Sequence, residues 1–118
     1  MEVKRLCKEC HNTAVEKGFY SKTQELSNLS PIEYQSYILD LEISKRIALI
    51  NSELGEALEA IRKDRRGLEQ KDTFEDEIAD TLIRIFDLCG WMDIDIEKQL
   101  KWKMNYNSNR ENLHGKRF

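Results

Sequence analysis

Between Ile32 and Ile61 apolar side chains return every three or four residues almost without a break. Only a long α-helix, or two abutting ones, lays such a series along one side. The same period recurs in three other stretches. Val3, Leu6, Cys7, Cys10, Ala14 and Val15 predict a first helix over Glu2 to Lys17, which Gly18 can end. Phe74, Ile78, Ala79, Leu82, Ile83, Ile85, Phe86 and Leu88 predict another, capped by Asp72 or Thr73 and stopped at Gly90. Ile96, Leu100 and Met104 predict a last one, starting with Asp93 or Asp95. One proline and five glycines in 118 residues supply too few turns for an all-β chain. The expectation is a single all-α domain of four to five helices, small enough that oligomerisation would help it bury apolar surface.

The segments between these helices carry their own signals. Phe19 to Leu29 is polar without a sustained period and reads as a mobile loop. Ser30-Pro31-Ile32-Glu33 then offers Ser at the N-cap, Pro at the first helical position and Glu three residues after the cap, a dense helix start. Lys63 to Asp72 is polar, is broken by Gly67 and reads as the connection of an αα-hairpin. Residues 107–118 read as a mobile basic tail. From Lys98 onward, Lys98, Lys101, Lys103, Arg110, Lys116 and Arg117 face a single acid, Glu111, so this end attracts anions. A net charge of −3 argues against stable nucleic-acid binding. No apolar run approaches the ~18 residues of a membrane span, and the N-terminus lacks the apolar centre of a signal peptide. A cytoplasmic location with no membrane partner is the default expectation.

The chemistry concentrates in two acidic pairs, Glu53-x-x-Glu56 and Glu77-x-x-Asp80. Residues three apart share a helix face, so each pair projects two carboxyl groups side by side. Gly67 lies near the midpoint between the pairs, and a chain folding back there brings all four to a similar level. Acidic pairs alone mean little: with 22 Asp and Glu, roughly four such pairs arise by chance, and Glu56/Glu59 and Asp72/Glu75 are also present. The combination is what matters. Glu53 sits among Leu49, Ile50, Ala57 and Ala60, where an unpaired charge is costly, and no Lys or Arg stands four residues after Glu53, Glu56 or Glu77. Clustered carboxylates repel, and a divalent cation relieves them. All-oxygen ligands favour Mg²⁺ or Mn²⁺ over zinc. Gly55 between the glutamates sacrifices helix propensity, which either tight helix packing or close approach of a partner or ligand would explain.

Cys7-Lys-Glu-Cys10-His11 matches the haem-attachment spelling C-x-x-C-H, but no export signal accompanies it and both cysteines fall on the apolar stripe. Cys89 and His114 do not complete a zinc site with them.

At its acidic pairs the chain resembles the MazG-like all-α nucleoside triphosphate pyrophosphohydrolases, a superfamily that also contains dimeric dUTPases and phosphoribosyl-ATP pyrophosphohydrolases. The resemblance extends along Leu49 to Arg62, Phe74 to Asp80, Lys103 to Asn107 with Arg110, and Ala14 to Phe19; residues 20–44 show none. It implies a MazG-like, oligomeric helical bundle that hydrolyses a nucleoside triphosphate to the monophosphate and pyrophosphate. It further implies Mg²⁺ on Glu53, Glu56, Glu77 and Asp80, phosphate contacts from Lys103, Asn107 and Arg110, and a homodimer or homotetramer. Glu56, at the edge of the apolar stripe, is the expected general base. Trp91, Trp102, Phe19 and Tyr106 are candidates to stack on a base. A phosphoribosyl-ATP pyrophosphohydrolase and a non-catalytic helical binding module stand as the alternatives.

Overall fold

In the computed structural model, which describes residues 2–118, every regular element is helical. The helices are α1 (Glu2–Glu16), α2 (Ser21–Leu29), α3 (Gln35–Arg62), α4 (Phe74–Trp91) and α5 (Ile96–Ser108). Short 3₁₀ turns, Ile32–Tyr34 and Asn112–Gly115, complete the described elements. The long apolar series of the sequence is thus one continuous 28-residue helix. α4 is the centre of the molecule, packed along both α3 and α1, while α5 rests on α1 and α2 on α3.

α3 and α4 run antiparallel, and the connection between them is held by its own polar groups. The Arg65 amide donates to the Ala60 carbonyl at 2.8 Å and closes the end of α3. Gly67 has φ +138°, a conformation side chains disfavour, and its amide donates to the Glu75 carboxylate at 2.8 Å. The Thr73 hydroxyl donates to the Gly67 carbonyl at 2.9 Å and accepts from the Asp76 amide, so one side chain ties the loop and caps α4. This hairpin sets the two acidic pairs opposite one another.

Gly18, at φ +85°, ends α1 as expected. Gly90 behaves differently from its expected role as a stop. The helix passes through it to Trp91, and a Cβ there would stand 2.5 Å from the Cys7 carbonyl oxygen and 2.7 Å from the His11 Cβ. Gly90 therefore lets α1 and α4 touch. Gly55, by contrast, has nothing within 4 Å of where its Cβ would be, so packing within the chain does not explain it.

Residues 21–29 correct the sequence expectation of a mobile loop. They form α2 because polar pairs do the work of an apolar stripe. Gln24 bonds Asn28 along the helix, Thr23 donates to Glu42 of α3 at 2.8 Å, and Ser27 donates to Gln35 at 3.0 Å. The expected helix start at Ser30 is also corrected. The Ser30 hydroxyl donates back to the Leu26 carbonyl at 2.7 Å, closing α2, and a 3₁₀ turn intervenes before α3 begins at Gln35 without a side-chain cap. Asp95 does cap α5, accepting from the Lys98 amide, and α5 continues through the first residues of the expected tail.

The core is thin. Its buried apolar members are Cys7, Tyr20, Ala57, Ala60 and Cys89, mostly small, and no large side chain is fully enclosed. Ile47, Leu54 and Leu58 share one face of α3 and remain exposed, as do Leu82, Trp102 and Met104. The radius of gyration is 17.4 Å, against about 13–14 Å for a compact chain of this length. No helix is long and apolar enough to cross a membrane.

Candidate metal centre and adjoining cavity

Glu53 and Glu56 project from α3 toward Glu77 on α4, and one carboxylate oxygen from each lies within 4.8 Å of the others. Adjacent oxygens around an octahedral Mg²⁺ stand about 3 Å apart and opposite ones about 4 Å, so small side-chain rotations would close the three on one ion. Glu53 and Glu77 are buried, whereas Glu56 faces solvent. Glu77 is among the most enclosed charged groups of the described residues. Its Oε2 is sealed from solvent without a hydrogen-bond partner. Burial, then the Glu56 carboxylate close enough to share a proton, then the charges of Glu53 and Asp80, push the Glu77 carboxyl up to about 7. An unbonded, buried carboxylate oxygen among other carboxylates is the donor set that a hard divalent cation satisfies.

Asp80 does not join the three. It remains half-buried, adds repulsion at Glu77, and lines a neighbouring cavity beside Glu53. A second acidic triplet, Asp72, Asp76 and Glu77, has an ordinary explanation. Asp76 accepts from the Asp72 amide at 2.9 Å and pairs with Lys71 at 2.7 Å, which ties down the start of α4.

Glu53 is not neutralised from its own helix. Arg84 reaches across from α4, its Nε donating to Glu53 Oε1 at 2.8 Å. Arg84 follows Asp80 by four residues and Asp87 follows by seven, so all three share one face of α4. With Glu53, Leu49 and Arg46 of α3, that face walls a cavity of about 600 Å³, closed on its other side by α1 and Phe19. Two charge types meet in it. The end at Glu53 and Asp80 is acidic, and Arg84, Lys17 and Lys45 bring cationic side chains to the same space.

Arg46 and Asp87, which also line the cavity, belong to a polar knot with His11 and Tyr20 that the spacing of the sequence did not reveal. Tyr20 donates its hydroxyl to Asp87 Oδ1 at 2.8 Å, and His11 Nδ1 lies 3.0 Å from the same oxygen. The buried Arg46 guanidinium stacks 3.8 Å above the Tyr20 ring and 4.8 Å from Trp91. Burial, together with the bond to Asp87, pushes the Tyr20 phenol far up. One signal for this knot was present: a lone arginine in the apolar stripe between Ile43 and Ile50, two turns before Glu53 on its face.

Lys103, Asn107 and Arg110 lie on α5 and the turn after it, and none of them lines the cavity. Lys103 and Arg110 instead flank the Tyr106 ring, 4.7 and 5.5 Å from its centroid, and Tyr106 stacks on Trp102. The Asn107 side-chain oxygen is buried without a partner. The cysteines are all free, and burial raises each thiol, so they stay protonated beside the core. Comparisons of the chain with protein families, with curated proteins and with solved structures found no match.

Proposed function

We propose that this protein is a Mg²⁺-dependent nucleoside triphosphate pyrophosphohydrolase, releasing the monophosphate and pyrophosphate. The observation that carries the reading is Glu77, whose Oε2 is buried without a hydrogen-bond partner and whose carboxylate lies within 4.8 Å of those of Glu53 and Glu56. Glu53, Glu56 and Glu77 would hold the cation, and Asp80, which stands outside that group, would complete the set by turning its side chain toward it. Bound there, Mg²⁺ (or Mn²⁺ in its place) supplies neutralising charge at phosphate oxygens and lowers the pKa of a water. Glu56, the exposed member, accepts the proton of the water whose oxygen bonds the α-phosphorus. The bond from that phosphorus to the oxygen bridging toward the β-phosphorus breaks, and pyrophosphate leaves with the electron pair. Arg84, Lys17 and Lys45 attract the triphosphate into the cavity. Lys103, Asn107 and Arg110 contact phosphate from α5 once nucleotide or a second subunit brings that helix to the cavity.

The exposed Ile47, Leu54 and Leu58 stripe supports a homo-oligomer as the working form. It also favours one rival, a helical partner-binding module without catalysis. A panel of NTPs and dNTPs with Mg²⁺ decides between them. Monophosphate plus pyrophosphate, lost in Glu53→Gln, is the expected result; diphosphate plus orthophosphate, or no turnover, overturns the reading.

A further inference from the structure

The cavity continues past the chemistry assigned to it. From Glu53 to Arg46 along α3, and from Asp80 to Asp87 along α4, is seven residues, about 10 Å. A nucleoside attached to phosphates at the acidic end would place its base at the polar knot. There, hydrogen-bonding capacity is left over on one atom of particular chemistry. Both bonds to Asp87 fall on Oδ1, from Tyr20 and His11, and among the described residues Oδ2 has none. Arg46 commits Nη2 to the Phe19 carbonyl at 3.4 Å and the Thr23 hydroxyl at 3.0 Å and has its Nε sealed from solvent, which leaves the N–H groups of Nη1 unspent among the described residues. Phe19 stands exposed at the lip, a ring available to cover a base.

Resting on the pyrophosphohydrolase reading, we infer that Asp87 Oδ2 selects the base, accepting from an exocyclic amine so that cytosine and adenine nucleotides are preferred over their carbonyl counterparts. A carboxylate can only accept. Cytosine and adenine present an amino group at the base edge, whereas uracil, thymine and hypoxanthine present a carbonyl oxygen in its place, lone pair against lone pair. The ring N–H of uracil offers no escape, because it lies between two carbonyls that would both face the anion. Tyr20 and His11 fix the carboxylate, so it cannot turn away. The unspent Arg46 donors suit the ring nitrogen or carbonyl beside the amine. A site built to pair with an amine discriminates against the analogue lacking it, here on the order of 10–100-fold in kcat/KM.

Two pairs that differ only in this group test the inference: dCTP against dUTP, and dATP against dITP. The wild-type protein should favour the amine-bearing member of each. Asp87→Asn, whose amide can donate to a carbonyl, should level or reverse the ratio of kcat/KM within each pair. Equal or better use of dUTP and dITP by the wild-type protein overturns the inference while leaving the hydrolase reading intact. If Asp87→Asn does not fold, the wild-type ratios alone decide. If no triphosphate is turned over, the hydrolase reading fails, and calorimetric binding of dCTP against dUTP decides the base question separately: tighter dCTP supports it, and parity overturns it.

Discussion

Glu77 places a group that would have to ionise to bind the proposed metal where burial resists ionisation. Folded, it holds its proton to about pH 7; unfolded, it releases the proton near its ordinary value of 4.5. Between those values the native state binds the extra proton, so metal-free stability falls as pH rises through the window. By pH 8 the native state has lost this extra proton and the stability it carried. Urea melts at pH 5 and pH 8 should show this loss without Mg²⁺ and recover much of it with Mg²⁺. Glu77→Gln should flatten the pH dependence and stabilise the metal-free protein at pH 8, while abolishing metal-dependent turnover. Glu53 was legible from the sequence because its helical neighbours are apolar, and a carboxylate among them needs a reason. Arg84 as its partner was not, since the pairing crosses helices and has no fixed spacing. Asp87 was hidden for the same cause: Tyr20 and His11 lie more than sixty residues away in the chain.

Among the elements, α4 is the one packed along two others. It touches α3 through the acidic cluster and α1 through Gly90, where even a methyl group would strike backbone. Gly90→Ala should therefore destabilise the protein by about 1–3 kcal/mol, the usual cost of overpacking, although alanine is the better helix former. A thermal melt checks it, and an unchanged or raised Tm would contradict the described approach of α1. The four longer helices could be read from apolar spacing, and Thr73 and Asp95 from their capping chemistry. α2 could not be read that way, because it docks on α3 through Thr23 and Ser27 and shows no apolar period. Ser30 misled for a related reason: a hydroxyl before a proline can open the next helix or close the last, and here it closes α2.

For the whole molecule, an extended shape and a core of small residues leave more apolar surface outside than a lone chain of this size ordinarily tolerates. Sedimentation should report a multiple of the 14.0 kDa chain, and Leu58→Glu should shift it toward the monomer. A monomer in the wild-type protein at micromolar concentration would refute the oligomer. Leu54 and Leu58 alternate with Glu53 and Glu56 along little more than one turn of α3. One rigid stretch of backbone would thus serve both the proposed contact between copies and the carboxylates. If the proposed enzyme works as an oligomer, dilution should lower its specific activity as it separates the copies, and reconcentration should restore it after a lag.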